Sequence, residues 1–205
     1  MENKLIRLEP VEANKKIYGK RPLDTVRVVK TIRDMFDSSC ELFADNVAFL
    51  RRASQKSDWT EITYKEAGRA VYALGTALIK LGLKDKKIAI IGENRYEWEI
   101  SYLAVVCGVG TVVPIDKELT DVEIRTLLDA ANADALIYSP KIKKKYPELF
   151  ETLGVKLICM EESKTDESFD KLIEAGEMLI EQGDRSFIDE LLPWSEKLPE
   201  TCRVK

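Results

Sequence analysis

The chain has 205 residues, of which 45% are hydrophobic and 33% charged, a composition typical of globular proteins and unlike that of disordered or fibrous ones. Its 32 Lys and Arg against 36 Asp and Glu give a formal net charge of -4, so the charge balance does not favour nucleic acid as a partner. It contains no histidine, which excludes Ser-His-Asp triads, Cys-His nucleophile pairs and zinc sites built on Cys and His.

The first predicted elements follow a basic amino-terminal arm, residues 1–30. Residues 31–44 have the apolar spacing of a helix, and Asp45-Asn46 is a plausible stop. Residues 47–51 and 59–63 then read as two short strands joined by a polar turn. This part of the chain is therefore expected to end in a β-hairpin.

The clearest predicted helix opens at Thr63. Thr63 and Glu66 have the spacing of a capping box, and Gly82 stands where a left-handed residue ends a helix. The steps of three and four residues in its apolar stripe keep one face toward a core. The stripe consists of Tyr64, Ala67, Val71, Leu74, Leu78 and Leu81.

From residue 87 onward, apolar strands alternate with helices. The predicted strands are residues 87–91, 111–115, 133–138 and 155–160, and the predicted helices are 95–107, 121–131, 140–153, 168–181 and 186–192. This alternation predicts the α/β class: a mainly parallel sheet with helices on both faces, in a Rossmann-like three-layer subdomain preceded by the arm, a helix and a short β-hairpin. Residues 193–205 are expected to form an irregular tail.

The turn after the first apolar strand is the first place to look for chemistry, because ligands in open α/β sheets bind at the carboxyl ends of strands. Its sequence, residues 92–97, matches neither GxGxxG nor GxxxxGK[ST], and Asn94 is interpreted as a helix N-cap. Gly108 and Gly110 are interpreted as a helix stop followed by close helix-strand packing.

The charged and aromatic candidates also have structural interpretations. Glu97 with Glu99, or Glu161 with Glu162, could act as acid and base if buried, but no apolar residues bracket them closely. A local lysine cluster could meet a phosphate or a lipid headgroup, although a solvated helix face is favoured. The cluster is Lys141, Lys143, Lys144 and Lys145, and the two tryptophans predicted to anchor the core are Trp59 and Trp98. The sequence thus assigns no catalytic, cofactor-binding or metal-binding residue.

The four cysteines are isolated in sequence and form no CxxC pair. They are Cys40, Cys107, Cys159 and Cys202. Free cysteines of this kind usually pack as small hydrophobic side chains, which favours a reducing cytoplasm. We also expect no signal peptide and no transmembrane helix, because the amino terminus lacks an apolar core and the most apolar run, residues 103–113, is too short.

Several stretches resemble the AMP-forming acyl-CoA synthetases. Residues 59–67, WTEITYKEA, are similar to the first core motif of the adenylating superfamily, and residues 107–116, CGVGTVVPID, to its second. Residues 81–90 look like the strand entry between them, with Lys84 where the family usually has Gly. The resemblance runs from about residue 31 to residue 190. Residues 93–98, ENRYEW, and 116–120, DKELT, look closest to the long-chain fatty acid branch.

The resemblance implies ATP, magnesium and CoA as cofactors of a full-length parent and a fatty acid as its substrate. The family's Ser/Thr/Gly-rich phosphate loop, which ends in Pro-Lys-Gly, does not occur in these 205 residues. Residues 31–192 are therefore expected to be an incomplete N-terminal part of an AMP-binding domain, inactive alone and without a cofactor of its own. Such a piece would expose apolar surface and could form a homodimer.

Two alternatives remain open on the sequence. The chain could be a non-catalytic α/β binding or interaction module that kept the fold and lost the chemistry. A flavodoxin-like nucleotide binder is a third interpretation, which depends on topology alone.

Overall fold

The computed structural model describes residues 5–6, 26–27, 29–52 and 57–189. Within the predicted arm, strand β1 (Leu5–Ile6) pairs antiparallel with β2 (Val26–Arg27). The tail of residues 193–205, with Cys202, lies outside the described residues, as does most of the arm. Among the described helices, none is long and apolar enough to cross a bilayer.

The front of the described chain has the predicted order of helix, hairpin and helix. It comprises α1 (Ile32–Leu42), β3 (Val47–Arg51), β4 (Thr60–Thr63) and α2 (Tyr64–Leu78). Strands β3 and β4 are antiparallel, and both halves of the Thr63 capping box are present at the start of α2. After α2 a π-helical turn (Ile79–Leu83) contains Gly82 at φ +80°, which confirms its left-handed position.

The centre of the molecule is a five-stranded parallel sheet in the order β6-β5-β7-β8-β9. Its strands are β5 (Lys87–Ile91), β6 (Thr111–Ile115), β7 (Ala135–Tyr138), β8 (Lys156–Cys159) and β9 (Glu167–Ser168). The other helices are α3 (Tyr96–Ala104), α4 (Asp121–Ala131), α5 (Pro140–Lys145), α6 (Pro147–Thr152) and α7 (Phe169–Glu181). All four predicted strands are present in the sheet, and β9 is an additional one.

Each face of the sheet carries its own core, as expected for strands that are apolar on both sides. Ile88 and Ile90 of β5 point into a core shared with α1, α2, α3 and α7, whereas Ala89 and Ile91 point into one shared with α4, α5 and α6. This alternation produces three layers and confirms the predicted fold class.

Two glycines allow close approach between elements. A Cβ atom on Gly176 of α7 would lie 1.9 Å from the backbone oxygen of Ala73 in α2, so these two helices touch through their backbones. A Cβ atom on Gly110 would lie 2.2 Å from the backbone oxygen of Lys86, so the close approach is between the starts of the neighbouring strands β5 and β6 and not the helix-strand packing predicted there.

Several predicted boundaries are wrong for local reasons. The helix predicted over residues 140–153 is two helices, because Pro147 lacks a donor N–H and disfavours helical geometry at Tyr146. The helix predicted over 95–107 leaves α-geometry at Ala104 and continues as a π-helical turn (Val105–Val109). Of the helix predicted over residues 186–192, residues 186–188 form a turn and residues 190–192 lie outside the described part.

Two predicted residue roles are also wrong. Arg95, in extended conformation, occupies the N-cap position of α3 instead of Asn94, and its side chain makes no capping hydrogen bond. Trp59 is 57% exposed rather than a core anchor. It lies three residues before the buried Ile62, so strand alternation places it on the opposite face of the hairpin, where the Arg52 guanidinium lies 4.6 Å from its ring centroid. Trp98 is half-buried and stacks on Tyr102.

Candidate functional site

The candidate site is the edge of the sheet where the parallel strands end. Strands β5 and β7 are neighbours, but the chain continues from β5 to β6 on one side and from β7 to β8 on the other. Such a switch of direction opens the crevice in which open α/β sheets bind ligands. Here the crevice lies between Gly92, after β5, and Ser139, after β7.

Protein atoms fill this crevice closely. The backbone N–H of Ser139 donates to the Ile91 carbonyl at 3.1 Å, and a Cβ atom on Gly92 would lie 3.1 Å from that of Ser139 and 3.3 Å from the Met160 sulfur. The Ser139 hydroxyl is buried and has no hydrogen-bond partner among the described residues. The turn predicted as the first place for chemistry is therefore closely packed and offers one unpaired hydroxyl.

Beside the crevice, a buried carboxylate joins four parts of the fold. Arg51 Nε of β3 donates to Glu97 Oε1 at 2.8 Å, and Arg95 Nε donates to Glu97 Oε2 at 2.5 Å. Arg95 also pairs with Glu161, after β8, at 2.6 Å, and Arg51 with Asp170 of α7 at 3.1 Å. We call these five residues the Glu97 cluster. It ties the hairpin, the start of α3, the strand β8 and the helix α7 together.

Glu97 is 3% exposed, so the expectation that it would not be buried is wrong. Burial raises the pKa of Glu97, but the hydrogen bond from Arg95 and the charges of Arg95 and Arg51 outweigh burial and hold the pKa below its ordinary value. A carboxylate that stays ionised at neutral pH, with both oxygens occupied by guanidinium groups, is a structural anchor. It has no proton to give at neutral pH, and each of its oxygens already accepts a hydrogen bond from a guanidinium group.

A second polar group lies at the ends of β7 and β8. The Tyr138 hydroxyl donates to Asp166, and Lys143 Nζ donates to the same carboxylate at 2.5 Å. Burial raises the pKa of Asp166, while the hydrogen bonds from Lys143 and Tyr138 lower it, with a net decrease. The adjoining shallow cleft of about 370 Å³ is also lined by Lys144 and Lys164.

The predicted lysine cluster therefore divides by role. Lys143 is a partly buried ion-pair partner, Lys145 lies 4.8 Å from the ring centroid of Tyr146, and Lys141 lies 3.9 Å from Glu93. The solvated-face interpretation fits Lys144, which is exposed, but is wrong for Lys143. Three lysines line the cleft, and Lys144 and Lys164 are the exposed ones, whereas Lys143 is paired with Asp166.

The described cysteines are free thiols in apolar surroundings, as predicted. Burial raises the pKa of Cys40 to about 11 and that of Cys107 to about 12, and Cys159 is buried. Thiols with such pKa values are not nucleophiles at neutral pH. Within residues 29–52 and 57–189, no group of three or more His, Cys, Asp or Glu side chains is arranged so that it could hold a metal ion.

This parallel three-layer unit, with its edge at the strand ends, is a fold shared with adenylate-forming enzymes. Residues 36–197 match the family described as "AMP-binding enzyme", and the chain belongs to that family. The resemblance seen in the sequence is thereby confirmed.

Individual relatives differ in their chemistry. The chain is 25% identical over 158 residues to tyrocidine synthase 1 of Brevibacillus parabrevis, covering 73% of this chain and 14% of that protein. It is 30% identical over 79 residues to the long-chain-fatty-acid–CoA ligase FadD15 of Mycobacterium bovis, covering 38% of this chain and 13% of that protein. A solved structure of a long-chain-fatty-acid–CoA ligase, FadD1 of Archaeoglobus fulgidus, matches with a TM-score of 0.63 at 17% sequence identity. The match covers 74% of this chain and 31% of that one, and it shows a common fold. The matched part of this chain thus spans about a seventh of the length of these two relatives and about a third of the length of that solved chain.

Proposed function

We propose that this chain forms the front α/β unit of an AMP-forming fatty acid–CoA ligase. Such an enzyme joins ATP and a fatty acid to give an acyl-adenylate and pyrophosphate, and then transfers the acyl group to CoA with release of AMP. The observation that carries the proposal is the family match over residues 36–197. The three described cysteines are free thiols, two of them buried, which is consistent with action in the cytoplasm.

Two sequence segments favour fatty acids over other carboxylic acids. Residues 93–98 and 116–120 look closest to the long-chain branch, and they follow β5 and β6 at the carboxyl edge of the sheet. A named fatty acid ligase is also among the relatives. A peptide synthetase is another relative, so the class of acid has to be tested directly.

We also propose that the 205 residues do not adenylate by themselves. The Pro-Lys-Gly phosphate loop is absent from the sequence, and the crevice between β5 and β7 is filled by Ser139 and Met160. Positioned charge supplies most of the rate in phosphate chemistry. Lys144 and Lys164 are exposed and carry point charges on long, flexible side chains, which do not supply that positioning.

The test is acyl-dependent exchange of labelled pyrophosphate into ATP, with short to long fatty acids, benzoate and several amino acids. The 205-residue chain is expected to show no exchange above a no-protein control. If the gene continues downstream, the extended protein is expected to exchange with long-chain acids and not with amino acids. Exchange by the 205-residue chain would refute its inactivity, and preference for amino acids would refute the fatty acid assignment.

The alternative is a non-catalytic binding module. An extended protein that contains the phosphate loop and catalyses exchange would exclude it. An extended protein that folds but exchanges with none of the acids would support it.

A further inference from the structure

Helix α1 has an unusual distribution of residues between its two faces. Its inner face buries Arg33, 5% exposed, whose Nη1 donates to the Phe187 carbonyl at 2.8 Å and the Cys107 carbonyl at 3.3 Å. Its opposite side and the residues at its ends expose large apolar side chains, each 41–51% accessible. We call this the α1 outer face: Val29, Ile32, Met35, Leu42 and Phe43. The inner face also buries Phe36, 8% exposed, as in an ordinary surface helix. The unusual feature is the outer face, which is apolar where a surface helix normally carries charge.

The middle of the α1 outer face is formed by two serines, whose side chains are small and whose hydroxyls both form hydrogen bonds. Ser38 and Ser39 lie between Met35 and Leu42, and both hydroxyls donate to the Met35 carbonyl, at 3.1 and 2.7 Å. Small side chains with satisfied hydroxyls let another helix approach closely without leaving a buried donor unpaired. This feature suits a helix as the occupant.

The charges at the two ends of α1 identify which helix fits. Lys30 is exposed before the first turn, and Asp34 is half-buried within that turn and accepts a hydrogen bond from the Lys30 backbone N–H at 3.2 Å. Glu41 and Asp45 are exposed at and after the last turn, so this end is the more acidic one. A second α1 lying antiparallel would place each Lys30 beside the acidic end of the other copy. A parallel arrangement would place like charges together.

We propose that the α1 outer face binds the same face of a second copy of this chain, with the two helices antiparallel about a two-fold axis. A contact of this kind is self-complementary, as closed dimers require. An 11-residue helix is about 16 Å long, so the buried area is below that of a standard stable interface. The dimer is accordingly weak, with a dissociation constant of about 10–100 μM.

The experiment is sedimentation of the full 205-residue chain between about 1 and 200 μM, a range that brackets this constant. Met35→Glu is expected to weaken dimerisation at least about tenfold, because it places an unpaired charge in an apolar contact, without changing the melting temperature. Val122→Glu, on the 69% exposed Val122 of α4, is the matched control and should dimerise like the original chain.

A charge exchange tests the antiparallel arrangement. Lys30→Glu and Asp45→Lys should each weaken the dimer by about three- to tenfold at low salt, and the double variant should restore it. A monomer at the highest concentration would overturn the proposal, and so would a dimer that persists in Met35→Glu. Failure of the double variant to restore dimerisation would overturn the antiparallel contact. If another segment, such as the chain's own tail, binds the α1 outer face instead, the chain will remain a monomer at the highest concentration.

Discussion

Replacing Glu97 by alanine is expected to lower the free energy of unfolding by about 3 kcal/mol. The substitution removes the carboxylate that occupies Arg51 and Arg95 at 2.8 and 2.5 Å. This loss of stability is at the low end of the range for breaking a buried ion pair, because both arginines are partly exposed. Arg51 also keeps Asp170 as a partner, and Arg95 keeps Glu161. Chemical denaturation measures the change.

Glu99→Ala is the matched control, since Glu99 lies on the same helix and is more exposed than Glu97. Its cost should be below about 0.5 kcal/mol, as for an ordinary surface change. Equal costs for the two substitutions would mean that the Glu97 cluster does not hold the fold together.

A further variant, Glu97→Gln, tests the pH dependence that follows from the lowered pKa of Glu97. A carboxyl whose pKa is lower in the folded state stabilises the fold above its unfolded pKa of about 4.5, and this stabilisation is lost as the pH falls through the folded value. The difference in stability between the original chain and Glu97→Gln should therefore shrink below pH 4.5. A difference that grows with acidification would show that the pKa is raised.

Truncation of Leu74 or Leu78 to alanine should cost about 2–5 kcal/mol in urea denaturation, because each side chain is fully buried in α2 and its removal leaves a cavity. Val122→Ala provides the exposed control and should cost under about 0.5 kcal/mol. If Leu74→Ala and Leu78→Ala both cost as little as the control, the apolar stripe of α2 does not face the core.

The elements that the sequence predicted well are those with local signals. The capping box predicted at Thr63 depends on residues three apart and is present, and the same local pattern, Thr120 with Glu123, opens α4. The four longer strands are continuous apolar runs. By contrast, β9 has two residues and therefore no period to detect, and the π-helical turns have no sequence signature of their own.

The polar interactions of the site were harder to predict because they are distant in sequence. Arg51 and Glu97 are 46 residues apart, Arg95 and Glu161 are 66 apart, and Arg51 and Asp170 are 119 apart. Spacing along the chain cannot indicate such pairs. The available signal was positional: Arg95 and Glu97 follow directly on the carboxyl end of an apolar strand, where polar side chains from several loops meet.

The exposure of single large residues was unpredictable for a related reason. Trp59 and Met35 are apolar, yet they are 57% and 46% exposed, whereas Arg33 is buried. Whether a helix or strand is covered on one side or two depends on tertiary contacts such as that between Arg33 and Phe187. Local periodicity shows that a face is apolar but not what lies against it.

The most direct test of the central claim, that this α/β unit of an AMP-binding enzyme has no nucleotide site of its own, is calorimetric titration of the 205-residue chain with ATP and magnesium. The filled crevice at Ser139 and the missing phosphate loop predict no saturable binding up to about 1 mM ATP, which corresponds to a binding free energy weaker than about -4 kcal/mol. Saturable one-to-one binding with a dissociation constant near 10 μM or below, about -7 kcal/mol, would contradict it.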